Sequence, residues 1–172
     1  TITVTITDVD DVAPVFTSSS TFSAAENQTS IGTVTATDTD TSDASITFSL
    51  SGSELLISPA GVLTFVSAPD YEIKSTYTAT VTASDGSNTT TQNITVNVTN
   101  LNDNSPVFTS SATFSAAENQ TSIGTVTATD GDVGDTINYS INNAVEQRIE
   151  VSIAANESGS GNVYVIGGVK KR

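Results

Sequence analysis

The 172-residue sequence contains no cysteine, histidine, methionine or tryptophan. Without cysteine there is no disulfide framework, no thiolate metal site and no thiol nucleophile; without histidine, zinc and the usual general base are effectively excluded as well. Metals that prefer hard oxygen ligands remain. Positive charge is equally scarce: 5 Lys and Arg stand against 19 Asp and Glu, for a net charge of −14. Three of the five, Lys170, Lys171 and Arg172, close the chain, and only Lys74 and Arg148 precede them. Such a surface repels phosphate backbones and anionic lipid, so nucleic acid and membrane-surface partners are disfavoured and divalent cations are the natural counter-ions. No apolar run approaches the roughly 18 residues of a spanning helix. There is no signal peptide, and Thr1 opens in mid-strand, so the chain reads as a stretch of something longer.

The sequence repeats itself. Residues 14–40, PVFTSSSTFSAAENQTSIGTVTATDTD, return at 106–132 with changes only at Ser20/Ala112 and Thr39/Gly131, an offset of 92 residues. Upstream, TITVTITDVDDVAP at 1–14 lies over NITVNVTNLNDNSP at 93–106 with the same alternation. The division that follows is a last strand and linker of a preceding repeat at 1–13, a complete repeat at 14–105, and a truncated second repeat at 106–172, divergent after residue 141.

Within one period the apolar residues recur every second position: Ile46, Phe48, Leu50; Tyr77, Ala79, Val81, Ala83; Ile94, Val96, Val98. Period two marks half-buried strands. With the segments around Phe16 and Phe22, IGTVTAT from 31, ELLIS from 54 and GVLTF from 61, about seven strands are expected, parted by Gly, Pro, Asp and Ser turns. Helical periodicity is absent. The fold class is therefore all-β: tandem immunoglobulin-like Greek-key sandwiches, expected to be antiparallel, the second incomplete. In that second copy GNVYVIGG from 161 can be laid over AGVLTFVS from 60, and ANESGSGN at 155–162 reads as a loop tip. Lacking two strands, residues 106–172 are expected to be frayed or partnered.

Acidic residues gather at element ends: Glu26; Asp38, Asp40 and Asp43; Asp70 and Glu72; Asp85; Asp103; Glu118, Asp130, Asp132 and Asp135. Singly, each is an ordinary turn or surface residue. Together, with almost no Lys or Arg to pair them, they repel and call for a cation. Calcium takes six to eight oxygens from carboxylates, Asn side chains and carbonyls, which is the inventory present; magnesium prefers fewer carboxylates and retained water. DTDTSD and DGDVGD begin like an EF-hand loop, yet the sixth position is not Gly and the twelfth is Ser49 or Ile141.

The ordered set AEN (25–27), TATDTD (35–40), PDYE (69–72), TASDG (82–86) and NLNDNSPVF (100–108) resembles the cadherin repeat, especially that of long bacterial surface proteins. The resemblance covers residues 1–141 well and the rest loosely. It implies calcium bound at the joint between repeats. Glu26, Asp70 and Glu72 would come from the first repeat, Asp103 from the linker, Asp132 from the next repeat, and the Leu101 carbonyl would add a ligand. A third ion would take Asn102, the Asn104 carbonyl, Asp130, Asp132 and a carbonyl near Asp135. Near the chain start, Asp10, the Val12 carbonyl, Asp38, Asp40 and Asp85 would hold another, while Asp11 would serve a preceding domain.

The function this implies is a calcium-rigidified extracellular module of a cell-surface adhesion protein, with neighbouring repeats as its first partners and a homophilic or other surface protein as its second. The parent would be membrane- or cell-wall-associated. A calcium-dependent carbohydrate-binding sandwich is the alternative; with four Tyr and no Trp, Tyr71 and Tyr77 are its stacking candidates. An enzyme is not expected, because carboxylate pairs such as Asp38 and Asp40 have no His, Cys or Lys beside them to set up a nucleophile.

Overall fold

The computed structural model describes residues 2–6, 9–40, 45–141, 151–157, 159–160 and 163–166, with side chains up to residue 141. Asp43 and Arg148 lie outside the described residues. The chain divides into two compact units, Thr1–Leu101 and Asn102–Arg172.

In the first unit the described residues form nine strand segments: Val15–Phe16 (β1), Thr21–Ala25 (β2), Ser30–Thr33 (β3), Ala36–Thr37 (β4), Thr47–Leu50 (β5), Leu55–Ile57 (β6), Val62–Phe65 (β7), Thr76–Ser84 (β8) and Thr89–Thr99 (β9). They reduce to the seven expected from alternation, because β1 with β2 and β3 with β4 are each one strand run interrupted. Strand β1 pairs antiparallel with β4, while β2 pairs with β9, so the first strand run leaves one sheet and joins the other. The bend between them is pinned where Thr17 and Ser18 both donate backbone N–H to the Thr35 carbonyl, at 2.9 and 3.2 Å. One sheet has the order β2-β9-β8-β5 and the other β3-β7-β6.

All these ladders are antiparallel except β2–β9, which is parallel. This corrects the wholly antiparallel expectation. A period of two looks the same in both pairings, and the direction is set by the long return of the chain from β2 to β9.

The expected inward faces are the observed core. Val81, Ile94, Val96 and Val98 of one sheet meet Leu55, Leu63 and Phe65 of the other, with Val34 and Ala24 closing the cluster. Thr and Ser at the alternate positions face outward, as period two requires. Aromatic rings fill the edges. Phe16 and Phe48 lie 6.4 Å apart, and Phe65 meets Tyr77 edge-on at 5.0 Å. The Lys74 ammonium sits 4.5 Å from the Tyr77 centroid and pairs with Glu54.

In the second unit the segments are Val107–Phe108 (β10), Ser122–Val126 (β11), Ala128–Thr129 (β12), Asp135–Ile141 (β13), Val151–Glu157 (β14), Gly159–Ser160 (β15) and Val163–Ile166 (β16). The β10–β12 pairing repeats β1–β4 at the 92-residue offset, residue for residue. Strand β16 pairs antiparallel with β11 as β7 pairs with β3. The loop reading of 155–162 is corrected: 155–157 belong to β14, antiparallel to β13, and Gly159–Ser160 pair with β13 in parallel. Val151, Ile153 and Ala155 alternate as a strand needs, and β13 supplies the partner that the composition of ANESGSGN does not reveal. Residues 158, 161 and 162 of that segment lie outside the described residues.

Candidate metal centre

The two carboxylate-rich ends of the first unit are built by turns at strand ends. At one end, Glu26 follows β2 and is only 2% exposed. Asn27 after it takes a left-handed φ of 63°, which Asn tolerates better than most residues, and its N–H donates to the Pro69 carbonyl at 3.0 Å. That contact brings the chain reversal at PDYE against the turn after β2. Asp70 caps its own turn, with Oδ1 accepting from Ile73 N–H at 3.1 Å. Glu26 then accepts two backbone hydrogen bonds, from Tyr71 N–H and Leu101 N–H, both at 2.7 Å. The Asn100 amide, in the orientation its neighbours dictate, donates to Glu26 Oε1 at 3.3 Å and Glu72 Oε1 at 2.8 Å. Carboxylate oxygens of Glu26, Asp70 and Glu72 lie within 4.8 Å of one another.

At the other end, Asp40 Oδ2 accepts from the backbone N–H of Asp11 at 3.0 Å and Val12 at 2.8 Å. Asp38 Oδ1 accepts from Asp40 N–H at 3.0 Å. Asn88 ties the remaining two acids together. Its amide donates to the Asp10 carbonyl and Oδ1, at 3.3 and 3.1 Å, and its backbone N–H donates to Asp85 Oδ1 at 2.6 Å. Ser87 N–H adds a 2.7 Å bond to the same oxygen. These bonds, Asn88 N–H foremost, hold the Asp85 carboxyl below the ordinary aspartate range against the opposing effect of burial. Asp10, Asp38, Asp40 and Asp85 are joined by these bonds, and no three of their carboxylates meet at the 4.8 Å distance found for Glu26, Asp70 and Glu72.

The second unit repeats this arrangement. Asp130 Oδ1 accepts from Asp132 N–H at 3.1 Å, and Asp132 Oδ2 accepts from Asn104 N–H at 2.9 Å, the counterparts of Asp38, Asp40 and Val12 at the 92-residue offset. Asn104 adds side-chain bonds of 3.1 Å to Asp132 Oδ1 and Asp103 Oδ1. Gly131 makes room for that amide, since a Cβ there would stand 3.2 Å from Asn104 Cγ. Carboxylate oxygens of Asp130, Asp132 and Asp135 lie within 4.8 Å of one another. Asp103, Asn102 and Leu101 are exposed, and the structure shows the Leu101 N–H, not its carbonyl, in use.

These centres fit a hard cation. Two carboxylates about 4 Å apart repel by about 4 kcal/mol at a protein surface, and a cation set among three of them offsets that repulsion. Buried oxygens of three acids, Asp38 Oδ2, Asp85 Oδ2 and Asp130 Oδ2, accept no hydrogen bond from any described residue. A buried carboxylate oxygen without a donor is costly unless a cation meets it. Asp38 and Asp130 occupy the same place in the two copies. Sequence reasoning missed Asn88 and Asn100, which hold acids in position without being acidic themselves. The only signal was their place, three residues after Asp85 and immediately before LNDN.

A Cadherin domain family model matches residues 20–99. This chain belongs to the cadherin-domain family. The cadherin chain is 35% identical over 164 residues to the human protein Cadherin EGF LAG seven-pass G-type receptor 1, covering 85% of this chain and 5% of that one. It is 35% identical over 156 residues to the Drosophila melanogaster Protocadherin-like wing polarity protein stan, covering 78% and 4%. The chain spans about a twentieth of the length of these curated relatives. Among solved structures, human CDH23 EC21-23 superposes with a TM-score of 0.70 at 25% identity, covering 96% of this chain and 57% of that one. Mouse Cadherin-23 EC22-24 gives 0.66 at 26% identity, covering 90% and 57%. Cadherin domains are adhesion modules and are generally calcium-binding.

Proposed function

We propose that this cadherin chain is a calcium-stiffened spacer module of a cell-surface adhesion protein. The observation that carries the reading is internal: the same carboxylate arrangement is built twice, 92 residues apart, and in each copy the same buried oxygen, Oδ2 of Asp38 and of Asp130, meets no donor. Calcium would supply the missing positive charge. Glu26, Asp70, Glu72, the Leu101 carbonyl, Asp103 and Asp132 are the proposed ligands of shared ions at the joint. Asn102, the Asn104 carbonyl, Asp130, Asp132 and a carbonyl near Asp135 would hold a third, and Asp10, the Val12 carbonyl, Asp38, Asp40 and Asp85 a separate ion, with Asp11 left for a preceding domain.

With the ions bound, acids that repel one another become ligands of a common charge and successive repeats align; without them the linker bends freely. Extracellular modules of this type have dissociation constants of roughly 10⁻⁴ to 10⁻³ M, so the module works outside the cell and stays empty in the cytosol. Its partners are neighbouring repeats of the parent chain and a surface protein, homophilic or other, and its role is not catalytic. The carbohydrate reading gains nothing from the aromatic rings, since Tyr71 and Tyr77 pack against the core instead of forming an open platform.

Calorimetric calcium titration of the 172-residue chain beside Asp103→Ala tests the assignment. Asp103→Ala is expected to lose the joint ions and keep the ion at Asp10, Asp38, Asp40 and Asp85. Equal uptake by the two proteins refutes it.

A further inference from the structure

One uncharged side chain stands between two acids of the first unit. The parallel ladder ends with Ala25 beside Thr99, and Glu26 N–H donates to the Thr99 carbonyl at 3.2 Å, so the residue after each strand emerges next to the other: Glu26 from β2 and Asn100 from β9. The half-buried Asn100 amide donates to Glu26 Oε1 at 3.3 Å and to Glu72 Oε1 at 2.8 Å. A single NH2 group therefore serves two members of the carboxylate group that Glu26 and Glu72 form with Asp70. The second unit contains a like arrangement, where the Asn104 amide donates to Asp103 Oδ1 and Asp132 Oδ1, both at 3.1 Å.

No ammonium or guanidinium does this work. Lys74 is the only Lys or Arg among the described residues, and its ammonium is engaged by Glu54 and by the Tyr77 ring. A carboxamide can take a cation's place only in part. Its two N–H groups donate to both carboxylates and lessen their repulsion, but it brings no net charge. Nor does it share the oxygens readily with an ion. Calcium lies about 2.3–2.6 Å from each oxygen it takes, and N–H hydrogens aimed at the same two oxygens turn their positive ends toward it.

We propose that Asn100 is the internal stand-in for the ion: its amide bridges Glu26 and Glu72 while the centre is empty and leaves them when calcium binds. This rests on the calcium reading above and goes beyond it, because the calcium-free centre becomes a structure with hydrogen bonds of its own that the ion must displace. Asn100 thus stabilises the calcium-free first unit and lowers the affinity of its acids for calcium at the same time. A contact made in one state only shifts the equilibrium by its full worth. Removing the amide takes stability from the empty state and leaves the calcium-bound state as it was.

Asn100→Ala tests this through a thermodynamic cycle. In EGTA the variant is expected to unfold at lower urea than wild type, and in saturating calcium the two are expected to unfold together. Calorimetric titration is expected to show calcium binding about tenfold tighter in the variant, the equivalent of one hydrogen bond to a charged group lost from the empty state alone. A residue that positions Glu26 and Glu72 in both states gives the opposite sign, because its loss weakens binding. Heteronuclear NMR of the wild-type chain follows the Asn100 side-chain NH2 directly and does not depend on how well the variant folds. Its proton shift is expected downfield of the ordinary Asn range in EGTA, through the bonds to two carboxylates, and back within that range in saturating calcium. Binding by Asn100→Ala no tighter than wild type, or an NH2 shift that stays downfield in calcium, overturns the proposal while the calcium reading stands. Absence of calcium uptake by the wild-type chain overturns both.

Discussion

Glu26 is held by the protein before any ion arrives. Its two carboxylate oxygens accept from Leu101 and Tyr71 N–H, and Asn100 reaches the same group. Glu26→Ala strands two backbone donors, at about 1–3 kcal/mol for each that stays buried, so the first unit is expected to lose stability even in EGTA. Glu26→Gln keeps one carbonyl oxygen and should lose less. Urea unfolding in EGTA reads both, and equal loss in the two variants would contradict the bonding described. Leu63, fully buried between the sheets, sets the scale for a purely apolar loss: Leu63→Ala should cost about 2–5 kcal/mol in the same assay. Asp85 adds a pH dependence. Its folded carboxyl titrates below the ordinary range, chiefly through Asn88 N–H, so in calcium-free protein its contribution to stability is present above the unfolded aspartate value. That contribution is lost as pH falls through the lowered folded value. Thermal melts in EGTA should show a shallower acid limb for Asp85→Asn, and an unchanged limb would contradict the assignment.

At the scale of elements, alternation was enough to find the strands and their inward faces, because a half-buried strand imposes period two on its side chains whatever it pairs with. The same indifference hid the parallel β2–β9 ladder and the switch of the first strand run between sheets, both of which depend on where distant chain returns. Strand β14 was hidden for a related reason, since its polar Ala-Asn-Glu end runs into a Ser- and Gly-rich stretch and reads as loop until β13 pairs with it. The acids that lie together in space were legible from their ordered motifs, and the 92-residue repeat made the motifs legible twice. Asn88 and Asn100 were not, because an amide that positions an acid carries no signature apart from the fold. One glycine shows how tightly the elements join. Gly61 has a φ of 85°, and a Cβ on it would collide with the Val34 carbonyl, whose own N–H donates to Gly61 O at 2.8 Å. Gly61→Ala is expected to destabilise the first unit by about 1–2 kcal/mol from the left-handed backbone alone, and more from the collision. Urea unfolding checks it, and a variant as stable as wild type would refute the close approach.

At the scale of the whole molecule, the net charge of −14 and the shortage of Lys and Arg become a mechanism once the acids are placed. Glu26, Asp70 and Glu72 form one group, Asp130, Asp132 and Asp135 another, and the two compact units each carry one. On the proposed function, these groups oppose close approach of successive repeats while unneutralised and favour it once calcium neutralises them. On that proposal calcium, and no change in either sandwich, sets how far the chain extends. Small-angle X-ray scattering of the 172-residue chain measures this directly in calcium and in EGTA. A longer maximum dimension and a narrower distribution of shapes are expected with calcium, and a loss of that difference in Asp103→Ala. Superimposable profiles with and without calcium would contradict it.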